Sequence, residues 1–520
     1  MNNDFKQRLS KMKAIRFGIS LTILVTILSV ACARAAKESQ ATGTSSATTA
    51  NVNSASVTDK VPKYVFLFIG DGMGYPQIQS AAYYLGAKQS GEVTSNDLSF
   101  MSFPVAGSAK TYDSTSFCPD SASTATSIAT GNKTYSGTIN MDTSMTESFE
   151  TIAEKLKAQK DYKVGIITSV NLNHATPAAF YAHQPSRGSY YEIGEELIAS
   201  NFDYFAGGAL LSPTGKEENQ KDIYDVATEA GYKVICKDAD AQALTPSDGK
   251  AIIISEKLAD ADAMAYQLDT KADDVVLADY VKKGIEMLDN ENGFFMMVEG
   301  GKIDWACHAN DAASSINDTI AFSDAVDEAI AFYNEHPDDT LILVTADHET
   351  GGMTIGYAGL DYDTYLKNLE NQKISYAQFD ADFVAGYKEK KTPFTSVMKD
   401  IQSQFGLVAE SGSAKEEDAL LLTDYEYSLL EAAYNRTLQV GSSAKDEMSQ
   451  EEYILYGSYE PLTVTITHIL NNKSGISFTS YAHTGLPVPV FAKGINQDKF
   501  SGFYDNTDIY KNMAAICEVE

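Results

Sequence analysis

Basic residues are scarce in this chain of 520 residues: Lys and Arg number 40 against 71 Asp and Glu, a formal charge of −31. With no basic stripe to neutralise a phosphate backbone, nucleic acid is excluded as a partner. Cysteine is sparse too. Cys32, Cys118, Cys236, Cys307 and Cys517 form no CxxC pair and fall short of the density of a disulfide scaffold, so no disulfide framework is implied. Long apolar runs are missing apart from Phe17 to Ala31, which is too short for a comfortable membrane span.

What is present begins with that run. It follows Lys6, Arg8, Lys11, Lys13 and Arg16, and the cationic and apolar regions together read as an export signal over residues 1–36. Ser29-Val30-Ala31-Cys32 resembles a lipoprotein cleavage site, although an aliphatic residue is usual where Ser29 stands. Ala31-Cys32-Ala33 fits an ordinary signal-peptidase site equally well. The expectation is an exported, extracellular or cell-surface protein, with lipid anchoring through Cys32 left open. Residues 37–60, rich in Ser, Thr and Ala and without apolar periodicity, read as a flexible tether.

From Lys63 onward the pattern alternates strand, loop and helix. Tyr64 to Ile69, Lys163 to Thr168, Phe294 to Val298 and Thr340 to Thr345 are short continuous apolar runs, as in strands buried on both faces of a parallel sheet. Helical spacing appears over Ser148 to Ala158 and over Asp318 to Tyr333. This is an α/β architecture.

In open α/β sheets ligands bind beyond the carboxyl ends of the strands. The first run leads into Gly70-Asp71-Gly72, the second into Asn173-His174-Ala175-Thr176, the third into Glu299 and then Asp304 and His308, the fourth into Asp347-His348. Alone, a carboxylate and an imidazole four residues apart are as compatible with a solvated helix face as with a metal site. Gathered at one sheet edge, Asp71, Glu299, Asp304 and Asp347 repel one another unless cations balance them. Mixed imidazole and carboxylate donors suit zinc, and an all-oxygen set such as Asp71, Thr176 and Glu299 suits magnesium.

The nucleophile candidate is Ser121. Pro119 and Asp120 read as a helix start and Gly131 as its stop, which puts Ser121 in the first turn, where free N–H groups favour a phosphate.

These residues carry a resemblance to the alkaline phosphatase family. The match runs from about Lys63 to Gly494, through Ile69-Gly70-Asp71-Gly72-Met73, Asp120-Ser121-Ala122, His174-Ala175-Thr176-Pro177-Ala178-Ala179, Arg187, Val298-Glu299-Gly300-Gly301-Lys302-Ile303-Asp304, His308, Thr345-Ala346-Asp347-His348 and His483-Thr484-Gly485. The resemblance implies a three-layer αβα sandwich around a large, mostly parallel sheet, with residues 61–520 as the catalytic domain. It implies one zinc on Asp304, His308 and His483, and a second on Asp71, Asp347 and His348 with Ser121 completing the shell. Asp71, Thr176 and Glu299 would hold a third ion, usually magnesium. The implied reaction is hydrolysis of small phosphate monoesters through a phosphoserine at Ser121, with Arg187 clamping the phosphoryl oxygens.

Two departures qualify that transfer. At the His174 position the family carries Asp or His, and an imidazole there can ligate or crowd the third ion, so another divalent metal is an alternative to magnesium. At Trp305 the family frequently carries Lys or His; an indole cannot bind phosphate as a cation would, and stacking or shielding is the expected role. Residues 357–465 exceed what the core fold requires and read as a lid or a crown-like insertion at a homodimer interface near the active site. A sulfatase needs a Cys/Ser-x-Pro-x-Arg motif that Cys118-Pro119-Asp120-Ser121 does not supply. A phosphodiesterase of the same superfamily and a non-catalytic zinc- or phosphate-binding surface lipoprotein are the rival readings. His183 lies near Arg187 but outside the matched ligand set, His336 and His468 have no carboxylate partner at metal spacing, and all three are expected to have structural or surface roles.

Overall fold

The computed structural model describes residues 60–409, 419–439 and 448–520. The expected signal segment 1–36 and all but the last residue of the tether 37–60, Cys32 included, lie outside the described residues. Among those described, no helix is long and apolar enough to cross a membrane.

The four apolar runs are four adjacent strands. Tyr64–Gly70 (β1), Val105–Lys110 (β2), Lys163–Asn171 (β3), Tyr204–Gly208 (β4), Lys233–Ile235 (β5), Ala251–Ile254 (β6), Phe294–Glu299 (β7), Thr340–Ala346 (β8), Val488–Gly494 (β9) and Gly502–Asp505 (β10) form one ten-stranded sheet. Its order is β10-β2-β9-β8-β1-β7-β3-β4-β6-β5. The seven strands from β8 to β5 are all parallel, whereas β9 runs antiparallel to both neighbours. Every residue of β1, β7 and β8 is buried, which is why their sequences are continuously apolar rather than alternating.

Successive side chains of the central strands point to opposite layers. Phe66 and Phe294 meet Phe332 of the long helix Ala312–Glu335, while Phe295, the next residue, stacks against Phe180 on the other face. Helices therefore cover both faces, as the sandwich expectation requires. The helix expected at Ser148 starts later, at Ile152–Lys160, because Ser148 is bridged to Met141 and Thr151 with Glu154 makes a reciprocal cap.

The segment 357–465 contains a 3-10 turn at Leu366–Asn371 and helices at Phe394–Phe405, Asp424–Thr437 and Gln450–Tyr456. It is tied to the body by buried contacts. Gln372 Nε2 donates to both oxygens of Asp311, at 2.9 and 2.8 Å, and Asp311 caps the long helix.

β1, β7 and β8 are in register, with Ile69 beside both Glu299 and Thr345. They therefore deliver Asp71, Glu299 and Asp347 to one edge of the sheet.

Candidate active site

Asp71 follows the last residue of β1 in a tight turn. Gly72 has φ +69°, and a Cβ there would come within 3.0 Å of Asp304 and 2.8 Å of the Thr350 hydroxyl, so only glycine fits between these two elements. Asp304 and His308 sit on the helix Lys302–His308, one turn apart, and His483 reaches them from a short strand paired with Glu349–Thr350.

Two groups of potential metal ligands result: Asp304 with His308 and His483, and Asp71 with Asp347 and His348. Hydrogen bonds at each Nδ1 decide how the imidazoles face. His308 Nδ1 donates to the Tyr481 carbonyl at 2.6 Å, His483 Nδ1 to the Pro119 carbonyl at 2.5 Å, and His348 Nδ1 to the Thr350 hydroxyl at 3.2 Å. The Nε2 atoms are left as bare lone pairs turned toward the site. His308 and His483 Nε2 stand 3.0 Å apart, an approach that needs a proton or a metal ion between them. His348 Nε2 lies 3.2 Å from Asp71 Oδ1, from Asp347 Oδ2 and from Ser121 Oγ.

The carboxylates show the same demand for positive charge. Burial, then repulsion from Asp347, Asp304 and Glu299, pushes Asp71 well above the usual carboxylate range. Burial likewise raises Asp347 to about 8 and Glu299 to about 7. Burial acts in the same direction on Asp304, but His308 and His483 beside it prevail and hold it well below. Among the described residues, Asp71 Oδ1 and Glu299 Oε1 are buried without a hydrogen-bond partner. Such orphaned, mutually repelling oxygens next to bare imidazole nitrogens fit divalent cations.

Thr176 Oγ1 donates to Asp71 Oδ2 at 3.4 Å, and Glu299 is hydrogen-bonded by Thr168. Thr176 is thus joined directly to Asp71, and Glu299 lies close enough to Asp71 to raise its pKa. His174 belongs to neither ligand group. Its Nε2 accepts from Arg187 Nη2 at 3.3 Å, its Nδ1 is buried without a partner among the described residues, and burial with Arg187 alongside lowers its pKa to about 3. It is a neutral imidazole.

Ser121 opens the helix Ser121–Thr130, capped by Asp120, whose carboxylate accepts from Ser123 N at 3.1 Å; Gly131 closes it in the left-handed conformation. All ten residues of this helix are buried, which explains their small size. Arg187 Nη1 donates to Asp120 Oδ2 at 3.0 Å, so one aspartate both starts the serine helix and holds the guanidinium.

A cleft of about 300 Å³ opens over these groups, lined by Ser121, His174, Arg187, Asp304, His308 and His483 and by the aromatic rings of Trp305, Tyr376 and Tyr459. Trp305 packs edge-on to His174, with ring centroids 5.8 Å apart.

The sequence did not point to Asp120 as an anchor for Arg187, to Thr350 between Asp304 and His348, or to Tyr376 and Tyr459. Thr350 donates to Asp304 Oδ1 at 2.5 Å, and its place two residues after His348 on a strand is a usable signal. The tyrosines come from the 357–465 segment and carry no local signal at all. Of the remaining histidines, His468 Nε2 bonds the Asn310 side chain and His183 pairs with Glu154.

The family model described as alkaline phosphatase matches residues 62–519. Alkaline phosphatase 4 of Bacillus subtilis (strain 168) is 30% identical over 454 residues, covering 85% of this chain and 86% of that protein. A cold-active alkaline phosphatase from a psychrophilic Shewanella superposes with a TM-score of 0.70 at 26% identity, covering 87% of this chain and 99% of that one. A mutant of the alkaline phosphatase from the Antarctic bacterium TAB5, with Mg bound in the M3 site, gives a TM-score of 0.60 at 26% identity, covering 89% and 99%.

Proposed function

The chain belongs to the alkaline phosphatase family and is a phosphatase; on that premise we propose that it hydrolyses small phosphate monoesters through a phosphoserine at Ser121. The observation that carries this reading is the meeting of Ser121 Oγ, at the N-terminus of a buried helix, with His348 Nε2 at 3.2 Å beside the two ligand groups.

Asp304, His308 and His483 would hold one zinc, Asp71, Asp347 and His348 the other, and Asp71, Thr176 and Glu299 a third divalent ion. When bound, these ions supply Lewis-acid chemistry, acidifying the attacking hydroxyl and water and taking up charge on the leaving oxygen. The TAB5 mutant with Mg bound in the M3 site supports a third ion, and His174, two residues before Thr176 and with an Nδ1 unpartnered among the described residues, supports a choice of metal other than magnesium.

Ser121 Oγ is the attacking oxygen. It forms the bond to phosphorus as the bond to the alcohol oxygen breaks, and the alcohol leaves with a proton. The free N–H groups of the Ser121 helix and the Arg187 guanidinium hold the phosphoryl oxygens, Arg187 in an orientation fixed by Asp120 and His174. Water then cleaves the phosphoserine and releases inorganic phosphate. The local field of Arg187 and the bound ions, rather than the net charge of −31, governs the approach of an anionic substrate at contact range.

Export to the cell surface or exterior, anchoring through Cys32, homodimer formation and a lid or crown role for residues 357–465 belong to the same proposal, supported by the sequence. The test is hydrolysis of p-nitrophenyl phosphate by wild type, by chelated protein and by Ser121→Ala, with bis-p-nitrophenyl phosphate alongside. Monoester turnover lost on chelation and by at least about a thousandfold in the variant supports the reading. Turnover surviving both rejects it, and a preferred diester favours the phosphodiesterase reading.

A further inference from the structure

The cleft is larger than a phosphoryl group needs, reaching the lower end of the range of about 300–1,000 Å³ seen for small-molecule pockets. One end holds Ser121, Arg187 and the histidines; Trp305, Tyr376 and Tyr459 make up the rest of the lining. Among the described lining residues Arg187 is the only permanent cation, so nothing there is built to hold a second phosphate. Offset or edge-on aromatic contacts are what such a surface can offer.

The aromatic surface is rigidly held. Tyr376 accepts a hydrogen bond from the Tyr266 hydroxyl at 3.0 Å, its backbone N–H donates to Asp311 at 3.0 Å, and its ring meets Tyr459 edge-on at 5.8 Å. Behind the wall lies a fully buried ammonium. Lys302 Nζ is 3.8 Å from the Tyr266 ring centroid and 4.6 Å from that of Trp305, and pairs with Asp260 at 2.5 Å. A buried cation is costly unless its surroundings use it. Here it touches both the indole that lines the cleft and the phenol that holds Tyr376, fixing the two rings through cation–π contact.

We propose that Trp305, Tyr376 and Tyr459 form a leaving-group subsite for an aromatic alcohol, that the enzyme therefore favours aryl phosphomonoesters, and that Lys302 is the positioning residue of this wall. The proposal rests on the phosphomonoesterase reading. A phosphoryl group on Ser121 and Arg187 leaves its ester oxygen pointing away from the serine, and a flat ring attached there has the aromatic lining to pack against.

Trp305 is the only tryptophan in the chain, so intrinsic emission reports on this wall directly. Metal-loaded enzyme is titrated with phenylphosphonate and with methylphosphonate, following tryptophan emission and competition with inorganic phosphate. Both are expected to compete, with the phenyl compound about tenfold tighter and alone altering the emission. Tyr459→Leu should bring the two affinities within about twofold while leaving methylphosphonate unchanged. Lys302→Met should shift the emission of the free enzyme and weaken only the phenyl ligand, and Lys302→Arg should restore both. Tyr459 lines the open cleft and is less buried than Lys302, so its variant decides the matter even where the buried lysine variant does not fold. Equal binding of the two phosphonates by an enzyme that cleaves phosphate monoesters overturns the subsite alone. Failure of either to bind, with no ester cleaved, overturns the functional reading and the subsite with it.

Discussion

Asp120 and Arg187 form a 3.0 Å ion pair, and the same aspartate caps the helix that Ser121 begins. The orientation of the phosphate clamp and the placement of the nucleophile are thereby coupled through one side chain. Asp120→Ala should lower stability by about 1 kcal/mol through loss of the cap. It should also raise the KM for phosphate monoesters and the Ki for inorganic phosphate by up to about tenfold, because the guanidinium loses one of its two anchors. Steady-state kinetics with phosphate inhibition, beside denaturant unfolding, checks both; unchanged phosphate affinity counts against the coupling.

Chelation should destabilise the fold as well as inactivate it. His308 and His483 present facing nitrogens 3.0 Å apart, and Asp71 and Glu299 each keep an oxygen with no hydrogen-bond partner among the described residues in the same buried space. An ion that binds the folded state alone stabilises by about 2.7 kcal/mol at a hundredfold excess over its Kd. The melting temperature should fall by several degrees on chelation and recover with zinc. A melting curve indifferent to chelator contradicts the assignment of these residues as ligands.

Asp311 joins three parts of the molecule. It caps the helix Ala312–Glu335 through Ser314, accepts Gln372 Nε2, and accepts the N–H of Tyr376. Asp311→Ala should cost about 3 kcal/mol, the cap plus buried donors left unpaired. It should also weaken binding at the Tyr376 side of the cleft. Denaturant unfolding gives the first quantity; a loss below about 1 kcal/mol refutes the network.

His183 supplies a pH test away from the metal groups. Burial opposes its charged form, but Glu154, 3.4 Å away, and Glu196 outweigh burial and raise its pKa above the ordinary value of 6.5. A raised folded pKa means that the pair stabilises fully below the unfolded pKa and loses its contribution as pH rises through the folded value. The stability gap between wild type and His183→Gln should be wider below the ordinary value of 6.5 and shrink as pH rises above it. A gap that widens with pH reverses the assignment.

Much of the site was legible because its residues sit at the ends of strands with continuous apolar sequence, β1, β3, β7 and β8, or on the short helix that follows one of them. The serine helix was equally clear, with Asp120 and Gly131 as start and stop signals. The edge strands were not. β2 reads Val-Ala-Gly-Ser-Ala-Lys and alternates buried with exposed positions, too weak a pattern to separate from a loop. Within residues 357–465 the helix Asp424–Thr437 starts where Thr423 and Glu426 form a reciprocal cap. Tyr376 and Tyr459 reach the cleft only through the packing of a long segment against Asp311 and Tyr266, and no local periodicity encodes that.

Every step of the proposed reaction passes through a phosphoryl group on Ser121. Enzyme mixed with p-nitrophenyl phosphate, quenched rapidly in acid and digested, is examined by mass spectrometry for the position of phosphate. Wild type should carry one phosphoryl group on Ser121, and Ser121→Ala none. Turnover without a phosphorylated Ser121 peptide, or phosphate on a different residue, would contradict it.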